Sequence, residues 1–257
     1  MRPMTQTATP TPPGFTDAVQ SHLQKNDARI SRLTYQGQFY WVKREESLSL
    51  RMRLQKGNAT SAFEAERQAL HQLDTLGISV PTILDEGGDY FVLPHSGDTL
   101  RHLLRHGAEA STRLQAFSAA GQTLANLHQK GFSHGRPAIR DFCWNAPDIT
   151  LLDFERFSAA RNTAKGHMQD LIIFAHSALS EAQGHTPELG AALETYRAMD
   201  PHNTWDRATE YCARMTWINW LTKPVQWRKS GKANEFKAIP MVFDLFAGRN
   251  VVVAQPL

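Results

Sequence analysis

Apolar and polar positions alternate with period two in two short stretches near the N-terminus, Arg29 to Tyr35 and Gln38 to Arg44. The pattern predicts a β-hairpin turning at Gln36-Gly37, where glycine tolerates a positive φ. In the second stretch, Gln38-Phe-Tyr-Trp-Val-Lys-Arg44, the positions Phe39, Trp41 and Lys43 share one face. Residues 16–28 ahead of the hairpin predict a short helix, and the basic run 48–58 behind it, ending in Gly57-Asn58, predicts a mobile loop. A helical period then runs from Ser61 to about Leu76 and stops at Gly77, with Ser61 and Glu64 spaced as a capping box. Phe63, Leu70 and Leu73 form its apolar stripe, and Glu66 falls on that stripe. Two further strands, Ile78–Leu84 and Tyr90–Pro94, flank a turn at Asp85–Asp89. Beyond this the helical period dominates. One helix opens at an Asp98 N-cap, a second spans 112–130 with Leu114, Phe117, Gly121, Leu124 and His128 on one stripe, and a third covers 166–182. Helices near 186–199 and 204–222 follow, and the tail 249–257 reads as a short strand or an extended arm.

The change of period near His95–Gly97 divides the chain. Its α+β pattern predicts a flexible leader over 1–15, a small β-rich lobe over 16–96 with one main helix, and a mainly helical lobe over 97–257. Such a two-lobed layout places ligands between lobes. Composition narrows the class without changing this picture. The 257 residues are 41% hydrophobic and 21% charged with a net charge of +3, too mild a basicity to argue for nucleic acid. Cys143 and Cys212 lack metal-ligand spacing, and a reducing compartment is the simpler reading. No apolar run approaches the roughly 18 residues of a membrane span, and the first residues lack a signal-peptide core. A cytoplasmic location, peripheral to the inner membrane, is the expectation.

Three features carry candidate chemistry. Lys43 stands on an otherwise aromatic strand face, either snorkelling at an edge or turned inward to meet phosphate. Glu66 needs a cation if its helix stripe is buried, and Lys43 is the obvious one, a plain surface glutamate being the alternative. Asp141 and Asp153 punctuate a loop–strand–strand stretch, Leu124–Ser158, that is able to bring two hard carboxylates into one cleft for Mg²⁺. Separately, Trp217, Trp220 and Trp227 interleave with Lys223, Arg228, Lys229, Lys232 and Lys237. This suits either an anionic membrane surface or a core stripe of Trp217, Trp220 and Leu221 with solvated lysines beyond. His102 and His106 share a helix face but make a weak metal signal, and a solvated face is the plainer reading.

The order of these features resembles the protein-kinase-like superfamily, and within it the bacterial lipopolysaccharide (Kdo/heptose) kinase-like group. The resemblance rests on strand Lys43, helix Glu66, a hinge-like Leu93-Pro94-His95-Ser96, His134-Gly135 after a long helix, and Asp153-Phe154-Glu155. It implies ATP and Mg²⁺ as ligands, with Lys43 on the phosphates, Glu66 orienting Lys43, Leu93 and His95 at the nucleotide, and Asp153 on the metal. His134 would brace the catalytic loop, and Asp170 would tie down its backbone unless it faces solvent. In the pattern H-x-D-x-x-x-x-N, Arg136 takes the place of the base aspartate and Asp141 that of the metal-binding asparagine. Glu155 replaces the usual glycine, and no glycine-rich phosphate loop precedes Lys43. The resemblance therefore implies an ATP-dependent phosphotransferase with a non-standard loop, acting on a glycolipid or sugar acceptor. The alternative is an inactive pseudokinase that binds a nucleotide or a partner.

Overall fold

The computed structural model describes residues 12–45, 59–227 and 233–248. The expected loop over 48–58, the tail 249–257 and the basic residues 228–232 lie outside these, as does most of the leader. The chain forms two compact units. One holds the residues up to Gly97 together with Thr150–Phe157, and the other holds Asp98–Ile149 and everything from Ser158 onward. Element types and order are those of an α+β fold, with a four-stranded sheet in the first unit and mostly helices in the second.

In the first unit the helix α1 (Phe15–Lys25) precedes strands β1 (Ile30–Tyr35) and β2 (Gln38–Arg44), then helix α2 (Ala59–Thr75) and strands β3 (Asp85–Glu86) and β4 (Tyr90–Pro94). The strands make an antiparallel sheet in the order β1-β2-β4-β3. Tyr35 pairs with Gln38, so the hairpin loop is the two residues Gln36 and Gly37, at φ 49° and 77°. Positive φ at both positions gives the turn whose twist matches the strands. Alternation then separates two faces. Leu33, Tyr40, Val42, Tyr90 and Val92 point to α1 and form a core with its Phe15 and Val19. Phe15 is thus the first core residue of α1 rather than the end of a flexible leader. The opposite face carries Phe39, Trp41 and Lys43, and α2 covers it where Phe63 stacks on Phe91 at 5.0 Å.

Three expectations in this unit are corrected. Helix α2 begins at Ala59, so Ser61 lies inside it and is not its cap. Glu64 is instead gripped by the Arg67 guanidinium, 2.7 Å from both carboxylate oxygens, a stronger charge-assisted partner than a backbone amide. Ile78–Leu84 does not form a strand. Pro81 has no N–H to donate, the Ser79 carbonyl is taken by the Leu151 N–H at 2.8 Å, and only Leu84 reaches the sheet, donating to Val92 O at 2.9 Å.

The second unit opens with β5 (Asp98–Thr99), α3 (Leu100–Arg105) and α4 (Ala110–Gln129). The N-cap of α3 is Thr99, whose hydroxyl accepts from His102 N at 3.1 Å, while Asp98 pairs with Trp144 in a short strand. Strands β6 (Phe142–Asn145) and β7 (Asp148–Leu151) follow, then helices α5 (Ala164–Ala182), α6 (Pro187–Ala198), α7 (Thr204–Arg214), α8 (Trp217–Gln226) and α9 (Ala233–Phe246). The expected helix 204–222 is broken in two. Met215 N–H is shared between Tyr211 O and Cys212 O, which tightens the last turn of α7 before Trp217 starts a new helix. Helix α9 lies beyond the helices that the sequence pattern predicts, and it forms even though Pro240 argues locally against it. Its buried Ala238, Val242, Leu245 and Phe246 hold it, with Phe246 against Trp205 at 5.0 Å. Gly121 lets α4 approach α6 closely, since a Cβ there would lie 2.0 Å from Ala192 O. Among the described residues no helix is long and apolar enough to cross a membrane.

Candidate functional site

In the first unit, β2 and α2 bring Lys43 and Glu66 together. Lys43 is only 8% exposed and Glu66 3%, and the Lys43 ammonium donates to the Glu66 carboxylate. The period-two face of β2 turns Lys43 toward α2, and the helix stripe turns Glu66 toward β2. Burial raises the Glu66 carboxyl above its usual value, the Lys43 charge pulls it back, and the negative charges of Asp153 and Glu155 add to the rise. Asp153 is therefore electrostatically part of this cluster. Its φ is 65°, a left-handed conformation that aspartate tolerates better than most residues. The neighbouring Phe154 is fully buried.

Glu155 is the residue that sequence reasoning missed here. By resemblance it only replaces a glycine, yet its carboxylate accepts from Lys43 Nζ at 3.1 Å and from the Arg29 guanidinium. Burial alone would raise its carboxyl; Lys43 and Arg29 together outweigh that and hold it below the usual range. Lys43 is thus shared between two carboxylates, and Arg29 supplies the second positive charge. On the hinge side, Leu93 is half-buried in β4 opposite Trp41, and His95 is exposed, its N–H donating to Phe39 O at 3.1 Å.

In the second unit, Asp170 organises the loop after α4. Its carboxylate accepts from His134 N at 2.6 Å and Gly135 N at 3.0 Å, and lies 3.4 Å from His128 Nε2. Asp170 is 1% exposed, which rules out its solvent-facing reading. His134, within this loop, is itself fully buried. Ser133 adds two ties, donating N–H to Asn162 Oδ1 at 2.9 Å and hydroxyl to Arg161 O at 2.7 Å. Gly166 permits this contact, since a Cβ there would come within 1.9 Å of Arg161 O. The pinned loop leaves Arg136 exposed.

Asp141 is buried and has a structural task that spacing did not reveal. Its Oδ2 accepts from Ala138 N at 2.9 Å, closing a single 3₁₀ turn over Ile139–Asp141, and Oδ1 lies 3.4 Å from Arg140 Nε. Burial, with the Asp141 and Asp98 charges behind it, raises the Cys143 thiol to about 12, so that cysteine is inert as a nucleophile.

Among the described residues, no group of three or more His, Cys, Asp or Glu side chains converges as a cation cage. This includes His102 and His106, whose rings stack at 4.1 Å. Mg²⁺ on a phosphate substrate needs only one or two protein carboxylates, with phosphate and water completing its shell. Asp153 and Asp141 have the right donor chemistry.

The tryptophan-rich segment is not core. Trp220 and Trp227 are each 78% exposed, and Trp217 and Leu221 are also exposed.

No family model matches the chain. A protein of Haemophilus influenzae, itself uncharacterized, is 28% identical over 212 residues, which cover 82% of this chain and 88% of that protein. Among solved structures, a co-crystal of WbdD with a kinase inhibitor aligns at TM-score 0.46 and 14% identity over 68% of this chain and 44% of that one. A second structure, of the bifunctional kinase-methyltransferase WbdD, gives 0.44 and 14% over 66% and 42%. The chain spans less than half the length of these WbdD chains.

Proposed function

We propose that this chain is an ATP-dependent phosphotransferase with a non-standard catalytic loop, acting on a sugar or glycolipid and resembling the lipopolysaccharide core kinases. The buried Lys43–Glu66 pair, with Asp153 beside it, is the observation that carries this reading. Lys43 would hold nucleotide phosphates, Glu66 would orient Lys43, and Leu93 and His95 would border the base. Asp153 and Asp141 would hold Mg²⁺, which when bound neutralises phosphate charge. Arg136, in the place of a base, would stabilise charge on the transferring group. Phosphoryl transfer depends mainly on positioning and charge, so the missing base costs about 10²–10⁴-fold without abolishing turnover. Asp141 would serve as both metal ligand and proton acceptor.

The exposed Trp217, Trp220 and Trp227 on and after α8, with Lys223 beside them, support a peripheral contact with an anionic membrane surface. That contact fits a lipid-linked acceptor and a cytoplasmic protein working at the inner membrane. The second reading, a pseudokinase that binds nucleotide or partner without turnover, is favoured by Glu155 already occupying Lys43.

Thermal unfolding with and without ATP and MgCl₂ tests the proposal. A ligand at 100 times its Kd that binds only the folded chain adds about 2.7 kcal/mol. A metal-dependent shift that Asp153→Ala loses supports nucleotide at Asp153. Phosphate transfer to lipopolysaccharide that Asp153→Ala abolishes then separates enzyme from pseudokinase. No shift with ATP, GTP or metal overturns the nucleotide reading.

A further inference from the structure

The pinned loop 134–141 borders a cavity of about 530 Å³ in the second unit, within the size range of small-molecule sites. Arg101 and Arg105 reach it from α3, Arg136 and Arg140 from the loop. The facing wall is α5, with His176, Ser177, Ser180 and Glu181, and the start of α9, with Glu235. Four guanidinium groups therefore face two carboxylates.

The pairing is incomplete in a specific way. Glu181 holds both Arg101, at 2.9 Å, and Arg105, each through Nε, so one negative charge serves two positive ones. The Nη groups of both arginines make no hydrogen bond among the described residues. Arg140 leans on Asp141, and Arg136 has no ion-pair partner among the described residues. Guanidinium forks converging on a concave site match the oxygens of phosphate or carboxylate, which they bind bidentately. Ser177 adds a hydroxyl that still has its proton to give, because it only accepts, from Ile139 N at 3.0 Å. Neutral donors beside a cationic cluster suit a polyhydroxylated ring with an acidic substituent.

Resting on the phosphotransferase reading, we propose that this cavity is the acceptor site and that the acceptor is an acidic sugar. Its phosphate monoester or carboxylate would lie among Arg101, Arg105 and Arg136. Inorganic phosphate, glucose 6-phosphate, glucuronate and neutral glucose, titrated calorimetrically into the full chain without nucleotide or Mg²⁺, test this. The expected result is binding of the anions and none of glucose, weakening steeply with salt. Comparing glucose 6-phosphate with glucuronate then tells a phosphate from a carboxylate.

Arg136→Ala and Arg101→Gln should each weaken anion binding at least tenfold. Glu181→Gln should strengthen it several-fold by releasing two guanidinium groups, a gain that a merely structural ion pair would not produce. Circular dichroism checks that each variant folds. The inference falls if no anion binds by 20 mM, if glucose binds equally well, if both arginine variants bind as the parent does, or if Glu181→Gln weakens binding. It also falls if folded Lys43→Met loses phosphate binding, since the anion would then sit at the nucleotide lysine. If ATP fails to bind while the arginine and Glu181 effects hold, the phosphotransferase reading fails and the anion site stands.

Discussion

Two charged clusters of this molecule handle their charges in opposite ways. Around Lys43 the ammonium is buried and shared between Glu66 and Glu155, and Arg29 closes the account from outside. Around Glu181 one carboxylate is divided between two arginines, with Arg136 left over. A buried charge must be paired because desolvation is costly. Guanidinium groups that remain wet at a cavity wall bear no such penalty. On the proposed reading the first cluster would have to exchange partners before receiving phosphate, whereas the second would take an anion as it stands. The difference also separates stability from recognition. Breaking the first cluster should damage the fold, and breaking the arginine cavity should change only what binds.

The largest effect should come from a third charge, Asp170, which serves the fold by anchoring the loop beneath the cavity. Asp170→Ala removes the acceptor of two buried backbone N–H groups and the neighbour of His128. Urea unfolding should show a loss of about 3–5 kcal/mol, because buried donors left unmet cost their full desolvation. Asp170→Asn should lose less.

Lys43→Met leaves Glu66 buried without its cation, and a loss of about 3 kcal/mol is expected. The double variant Lys43→Met/Glu66→Leu should recover most of it. Equal losses in the single and double variants would mean that the pair is not coupled.

A pH effect should be somewhat smaller. His167 is buried against His128 at 4.4 Å; desolvation first, then the His128 charge, lower its imidazolium to about 4 from an ordinary 6.5. The unfolded chain therefore binds a proton between pH 6.5 and 4 that the folded chain refuses. His167's contribution to stability should be complete above pH 6.5 and disappear as pH falls toward 4, on the order of 2 kcal/mol in all. His167→Gln should flatten this part of the pH profile measured by urea unfolding.

The smallest change in stability should follow Glu155→Gln. Glu155 is partly exposed, so the loss should be about 1 kcal/mol or less. The same variant should tighten ATP binding severalfold in calorimetry, because Lys43 then has one carboxylate fewer to give up. Weaker nucleotide binding would show that Glu155 supports the phosphate site and does not compete with it.

Local pattern was a good guide wherever one face of an element met one core. Period two located β2 and β4 to the residue and set Lys43 apart from Tyr40 and Val42. The helical stripe put Glu66 opposite it. Local pattern failed where a partner came from far along the chain. Glu64 had Arg67 and did not need the cap, Ile78–Leu84 gave a carbonyl to Leu151, and Glu155 found Lys43 across 112 residues. The tryptophans of α8 kept an amphipathic pattern that suited core and surface equally, and their exposure is settled only by what packs beside them.

The sequence by itself determined most element types, the change from strand to helix near Gly97 and the facing positions of Lys43 and Glu66, since these follow from side-chain periodicity, while the penalty on an unpaired buried charge favoured their pairing. Only the tertiary structure decided that Glu155 shares Lys43, that Asp170 is buried beneath the His134–Gly135 backbone, and that four arginines from α3 and the loop line one cavity. Those outcomes depend on contacts between residues distant in the chain, and their geometry is set by how whole elements pack, which no local spacing encodes.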